Sequence, residues 1–99
     1  MGINPERRIK LEGHLDVPAD RWNDVLLALD AHVQLTRAEA GCLRFDVPPC
    51  SDVKHRLRVS EVFADQRSFD AHQQRTSHSE WAQISAGIER RYEITEVIG

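Results

Sequence analysis

The sequence predicts an α+β domain in which an antiparallel sheet is covered on one face by helices. Three observations support this fold class. Four segments carry strand patterns, mostly the alternation of apolar and polar residues expected of half-buried strands, and two longer segments carry apolar residues at helical spacing. These segments follow one another in the order strand, helix, strand, strand, helix, strand. With 99 residues, the chain has room for one hydrophobic core, so we expect a single domain over residues 1–99.

The first strand is predicted over residues 8–17. Its apolar side carries Ile9, Leu11 and Leu15, and its polar side carries charged residues. Gly13 stands in the apolar row without a side chain, which predicts a β-bulge there, with space for a ligand as the alternative.

The first helix is predicted to begin near Pro18, since proline suits the first turn of a helix. Gly41 is predicted to end it in the left-handed conformation that glycine adopts without steric cost. The apolar positions between them follow helical spacing: Trp22, Val25, Leu26, Leu29 and Val33.

The second and third strands are predicted over residues 42–47 and 55–63, joined by a proline-rich connection. Alternation places Leu43, Phe45 and Val47 on one side of the second strand. In the third strand one face is shared by Leu57, Val59, Glu61 and Phe63.

The second helical region is predicted to begin at Asp65, a good N-cap, with Phe69, His72 and Thr76 on one side. Ser77 and Glu80 form the pattern of a capping box, which predicts that the helix restarts or bends there. Residues 92–98 are predicted to form the last strand. This βαββαβ order is the ferredoxin-like arrangement. Because it leaves one sheet face uncovered on a small domain, we expect a homodimer in which a partner sheet covers that face.

Composition excludes several classes of function. The net charge of −3 argues against a nucleic-acid partner, and no apolar run is long enough to span a membrane. The first residues lack the apolar core of an export signal, so we expect a cytoplasmic protein. Cys42 and Cys50 lie too far apart along an extended segment for a disulfide. The sequence contains neither a metal-ligand motif nor a glycine-rich phosphate loop, so we expect no metal and no cofactor.

Three residues are candidates for chemistry. Glu61 lies on the apolar side of its strand, and His72 lies on the helix predicted to cover that strand. They could form a dyad in which His72 abstracts a proton and Glu61 orients the ring. The alternative, which the residues alone favour, is a hydrogen-bonded pair that fastens helix to strand. Glu39 lies near a helix C-terminus, where a carboxylate is unfavourable, so we expect it to pair with an arginine from a strand.

Aromatic residues are mostly expected in the core, but a few could line an apolar pocket suited to a flat aromatic ligand. The candidates for substrate binding are Trp22, Phe45, Phe63, Phe69 and Trp81.

The ordered pieces Glu39-x-Gly41-Cys42, Glu61-x-Phe63 and Phe69-x-x-His72 resemble the antibiotic biosynthesis monooxygenase-like family. This resemblance implies ferredoxin-like domains paired into dimeric α/β barrels. It also implies oxidation of a quinol or polycyclic phenol with O2, without metal or organic cofactor, with His72 as general base and Glu61 as its partner.

Haem-degrading relatives use an Asn on the first strand, and residues 8–17 contain none, so haem degradation is disfavoured and haem binding is not excluded. The sequence therefore predicts a cofactor-independent monooxygenase acting on a small aromatic substrate and O2. The alternative is a dimer of the same fold that binds a small ligand, or a partner, without catalysis.

Overall fold

The computed structural model describes residues 7–98, which form a four-stranded antiparallel sheet with the strand order β2-β3-β1-β4. Helices pack on one face of the sheet, which confirms the predicted ferredoxin-like α+β fold. The sheet of the single chain is open, and the dimeric barrel stays a prediction. The elements are β1 (Arg7–Asp16), a 3-10 turn (Ala19–Arg21), α1 (Trp22–Arg37), β2 (Cys42–Asp46), β3 (Arg56–Phe63), α2 (Gln66–Ser77), α3 (Glu80–Ile84) and β4 (Glu89–Ile98).

The central strand β1 pairs with β3 on one side and β4 on the other, and both registers run without interruption through Gly13. The predicted bulge at Gly13 is therefore wrong. A Cβ atom added there would lie 1.9 Å from the carbonyl oxygen of Arg91. Glycine is needed because the backbone of β4 occupies the space of a side chain. The apolar row of β1 is buried as predicted: Ile9, Leu11 and Leu15.

Gly41 has a different role from the predicted one. The helix α1 ends at Arg37, and among the described residues only His55 and Gly87 have positive φ, so Gly41 is not a left-handed cap. A Cβ atom at Gly41 would lie 2.0 Å from Ser68 Oγ. Glycine here lets the first turn of α2 pack against the turn that follows α1.

The helix-facing side of β3 is as predicted, with all four residues buried: Leu57, Val59, Glu61 and Phe63. The prediction for β2 is partly wrong. Phe45 is buried, and Val47 packs half-buried beside the core, but Leu43 is 52% exposed. The register against β3 shifts between Cys42 and Arg44, and this irregularity breaks the alternation on which the prediction rested.

Of the two N-caps predicted for the second helical region, the structure confirms one. The carboxylate of Asp65 accepts a hydrogen bond from the backbone N–H of Ser68, at 2.7 Å, as expected of an N-cap. The second cap is Ser79 and not Ser77. Ser77 is the last residue of α2 and donates its hydroxyl to the carbonyl of Gln74, whereas Ser79 Oγ accepts from the backbone N–H of Ala82 and begins α3.

The remaining expectations concern the edges of the fold. The last strand begins at Glu89, three residues earlier than predicted, after Gly87 turns the chain with φ of 77°. Both Cys42 and Cys50 are free, as expected. Within residues 7–98, no helix is long and apolar enough to cross a lipid bilayer.

Candidate functional site

His72 is held in the interior between α2 and the sheet. Its position three residues after Phe69 puts both on the buried side of α2, as predicted, and His72 is only 3% exposed. The imidazole lies 4.8 Å from the ring of Phe63 and 5.7 Å from the ring of Phe45, measured between centroids. Aromatic side chains from β2 and β3 thus lie next to the His72 ring.

Glu39 is the hydrogen-bond partner of this imidazole. Its Oε1 accepts from His72 Nδ1 at 2.7 Å, and its Oε2 accepts from Arg75 Nε at 2.7 Å. Arg75 also donates to Thr36 Oγ1 at 2.9 Å, and Thr36 is fully buried. The expected arginine for Glu39 is present, but it comes from α2 instead of a strand. The approach of α2 to the turn at Gly41 makes this contact.

Glu61 is close to His72 but does not orient it. Glu61 Oε1 lies 3.8 Å from His72 Nε2, beyond hydrogen-bond length, and finds no partner among the described residues. Burial raises the pKa of Glu61 to about 7, and the negative charge of Glu39 adds to the effect. The structure brings the two predicted residues together, while Glu39 makes the hydrogen bond that sequence reasoning gave to Glu61.

The hydrogen bond to Glu39 determines which nitrogen of His72 is basic. A carboxylate only accepts, so Nδ1 carries the hydrogen and Nε2 carries the lone pair. Burial lowers the pKa of His72 in spite of the opposing effect of the hydrogen bond that Nδ1 donates to Glu39, which favours the neutral ring. The Thr76 hydroxyl reaches Nε2 only at 3.5 Å. A neutral imidazole held in one tautomer with a lone pair on Nε2 has the form of a general base.

His32 is a buried residue of this region that sequence reasoning missed. It stacks on Trp81 with ring centroids 5.1 Å apart and an interplanar angle of 8°, and its centroid lies 6.0 Å from that of His72. Burial lowers its pKa to about 4. Helical spacing could have identified His32, because it continues the buried side of α1. The buried residues of this helix are Val25, Leu29, His32 and Thr36.

A pocket of about 390 Å³ opens beside the Glu39 edge of His72. Of the five aromatic residues predicted to bind substrate, Phe63 lines this pocket. Phe69 packs on Phe63 at 5.7 Å, and Trp22 lies elsewhere, with its ring edge-on to His55 at 5.3 Å. The five aromatics are therefore not gathered around one cavity. The full lining is Glu39, Ala40, Gly41, Cys42, Phe63, Arg67, Ser68, Ala71, His72 and Arg75.

Comparison with known proteins gives a family match. The model of the family described as antibiotic biosynthesis monooxygenase matches residues 8–84, a range that contains Glu39, Glu61 and His72. No curated protein is significantly similar to the chain in sequence.

Solved structures share the fold at low sequence identity. A candidate antibiotic biosynthesis monooxygenase from Nitrosomonas europaea superposes with a TM-score of 0.77 at 16% identity, covering 100% of this chain and 95% of that one. A protein of unknown function from Bacteroides thetaiotaomicron gives 0.75 at 18% identity, covering 93% and 99%. A candidate monooxygenase of the same family from Deinococcus radiodurans gives 0.69 at 18% identity, covering 90% and 89%. At these identities the likeness establishes the fold.

Proposed function

Because the chain belongs to the antibiotic biosynthesis monooxygenase family, we propose that it oxidises a quinol or polycyclic phenol with O2, with His72 as general base and without metal or organic cofactor. The observation that carries this proposal is the 2.7 Å hydrogen bond between His72 Nδ1 and Glu39, which directs the lone pair of Nε2 inward. Glu39 replaces Glu61 in the orienting role of the predicted dyad.

The proposed reaction begins with proton transfer from the phenol hydroxyl to His72 Nε2. The resulting phenolate is electron-rich and gives its electrons directly to O2. One oxygen atom enters the product as a carbonyl, and the other leaves as water with the two hydrogens that the substrate has lost. The substrate itself supplies the electrons. A positioned base typically contributes 10²- to 10⁴-fold to such a step.

Two charged neighbours suit this proposal. Arg75 binds Glu39 at 2.7 Å on the Nδ1 side of His72, so its positive charge keeps the orienting carboxyl ionised. Glu61 has a pKa of about 7, so it is partly neutral under ordinary conditions and repels the anion less than an ionised carboxylate would.

The second candidate function is the binding of a small aromatic ligand without conversion. It is favoured by the burial of His72 and by the chain of contacts through Glu39, Arg75 and Thr36, which joins α1 to α2 and would fasten the two helices whether or not the site is catalytic.

Oxygen uptake separates the two candidates. The purified protein is tested against a panel of hydroquinones and naphthols, with chelator present and autoxidation subtracted. Saturable uptake should fall at least 100-fold in His72→Ala and persist in His78→Ala, a matched control because His78 is exposed. Unchanged turnover in a folded His72→Ala protein would remove the base from the proposal. Thermal stabilisation by a panel compound without oxygen uptake would favour the binding function.

We also propose that the protein is a homodimer. The strand β4 lies at the sheet edge and is exposed along its length, with Ile94 and Ile98 54% and 68% exposed. Exposed apolar side chains on an open edge strand favour association with another sheet. Sedimentation equilibrium should give twice the mass of the chain at micromolar concentration, and a monomeric mass over that range would contradict the proposal.

A further inference from the structure

Two buried polar atoms in the interior have no hydrogen-bond partner among the described residues: Glu61 Oε1 and His32 Nδ1. Both side chains are more than nine-tenths buried, at 7% and 5% exposure of the residue. A buried polar atom without a partner lowers stability, because it loses its hydrogen bonds to water without replacement. Such atoms are rare enough in folded proteins that each calls for an explanation.

Both side chains are neighbours of His72. Glu61 Oε1 is 3.8 Å from His72 Nε2, and the ring of His32 is 6.0 Å from the ring of His72. The 3.8 Å separation is too long for a direct hydrogen bond. An oxygen atom off the line between them can lie within about 2.8 Å of both. A centroid separation of 6.0 Å is also short enough for one nitrogen of each ring to bind the same oxygen atom.

Glu61 Oε1 lies at the Nε2 edge of the His72 ring, whereas Glu39, which lines the 390 Å³ pocket, lies at the Nδ1 edge. The surroundings on this side are aromatic. Phe45 is paired with Glu61 across the two strands, and the rings of Phe45 and Trp81 both contact His32. Together with the Thr76 hydroxyl, which lies 3.5 Å from His72 Nε2, the three polar groups are the hydrogen-bonding part of this region.

The chemistry of the groups selects the occupant. Nε2 of His72 accepts a hydrogen bond, and the carboxyl of Glu61 in its neutral form donates one. A hydroxyl group satisfies both, because it donates and accepts at one atom. An anion would face the carboxyls of Glu39 and Glu61. Within the described residues no group of three His, Cys, Asp or Glu side chains is arranged to hold a metal ion.

We infer that Glu61 Oε1, His72 Nε2 and His32 Nδ1 form an internal site for one neutral hydroxyl oxygen, supplied by a water molecule or by the hydroxyl of a phenol. Occupation by a phenol rests on the proposed function, whereas occupation by water does not. The site gives His32 a role as a positioning residue for the oxygen that His72 binds.

The first measurement uses the protein alone. With ¹³C,¹⁵N-histidine labelling, water-to-protein NOEs are recorded at the ring protons of His32 and His72, which are assigned from single variants. A long-lived water should give cross-peaks at both rings. The peaks at His72 should weaken in His32→Phe, which keeps the stacking on Trp81 and removes both nitrogens, and should remain in the matched control His78→Phe.

The second measurement uses 1-naphthol as the probe of the phenol. Binding should shift the His72 Nε2 resonance and abolish any water cross-peak. Glu61→Leu should weaken naphthol binding at least tenfold, while Glu61→Gln, which keeps a hydrogen-bonding side chain, should restore most of it. If Glu61→Leu does not fold, His32→Phe is expected to weaken binding by a smaller factor and takes its place.

The outcomes separate this site from the proposed reaction. Water cross-peaks without oxygen uptake against any phenol would support the internal site and count against the monooxygenase. Turnover that is insensitive to Glu61→Leu and His32→Phe, in a protein without water cross-peaks at either ring, would overturn the internal site and leave the reaction standing. In a protein without turnover, the absence of water cross-peaks at both rings, together with naphthol binding that is absent or unchanged by Glu61→Leu and His32→Phe, would also overturn it.

Discussion

The two nitrogens of His72 lie in opposite kinds of environment. On the Nδ1 side, a carboxylate, a guanidinium and a hydroxyl are connected by hydrogen bonds of 2.7–2.9 Å, through Glu39, Arg75 and Thr36. On the Nε2 side, Glu61 is 3.8 Å away and unpartnered among the described residues. The Nδ1 side of the ring is therefore held by hydrogen bonds, whereas the Nε2 side can accept a further hydrogen bond.

This difference distinguishes a structural part of the buried cluster from the part where we propose chemistry. A fully satisfied network stabilises the fold and holds a side chain in one orientation. An unsatisfied buried group lowers stability, and such groups persist where they serve a ligand or a reaction. We therefore assign the orientation of His72 to Glu39 and propose that proton transfer occurs on the Nε2 side.

The largest expected effect on stability comes from replacing each of the two glutamates, Glu39 and Glu61, by glutamine. Glu39→Gln should lower the free energy of unfolding by roughly 3 kcal/mol, because it leaves Arg75 without its charged partner. Glu61→Gln should not lower it at pH 7, since no hydrogen bond is lost and a neutral amide replaces a buried ionisable carboxyl. Urea unfolding of the two variants measures both values, and equal destabilisation would erase the contrast between the two sides of His72.

The pH dependence of stability isolates Glu61. Its pKa is about 7 in the folded protein against an ordinary value of 4.5, so folding takes up a proton between these values. Its contribution is therefore present below pH 4.5 and is lost as pH rises to about 7. The stability of Glu61→Gln relative to wild type should increase by roughly 2–3 kcal/mol between pH 4.5 and pH 8.

Other titratable groups also make stability depend on pH, so the contribution of Glu61 is obtained from the difference between wild type and Glu61→Gln. The pKa of His32 is lowered to about 4, which acts in the opposite direction by reducing stability as pH falls below 6.5. The groups that face Glu61 are Glu39, His72, Cys42 and Tyr92. These groups remain in both proteins, so a constant difference across the pH range would show that Glu61 is not perturbed.

A smaller effect on stability is expected at Gly41, where α2 packs against the turn that carries Glu39. Gly41→Ala should destabilise the protein by about 1–2 kcal/mol, because the added methyl group collides with Ser68 and displaces α2. The double variant Gly41→Ala/Ser68→Gly removes both colliding atoms and should recover part of the loss in thermal unfolding. Additive effects of the two substitutions would mean that this contact does not hold α2 against the turn of Glu39.

The comparison also shows which features can be predicted from sequence. Alternation identified the inward face of β1 and β3, including Glu61, and helical spacing placed His72 on the same side. The exposure of Leu43 could not be predicted, because it follows from an irregular pairing of β2 with β3. The prediction that Glu61 orients His72 was wrong for a similar reason. Its choice of Glu39 over Glu61 depends on how closely α2 approaches Gly41, a tertiary contact between residues far apart in sequence.

The most direct test of this account is the tautomer of His72. Long-range ¹H–¹⁵N correlation spectra of ¹⁵N-histidine protein at pH 7.5, with His72 assigned by its absence in His72→Gln, report which ring nitrogen carries the hydrogen. We expect a neutral ring with hydrogen on Nδ1 and a lone pair on Nε2, and a shift away from this tautomer in Glu39→Gln but not in Glu61→Gln. A ring with hydrogen on Nε2, or one that is indifferent to Glu39→Gln, would contradict it.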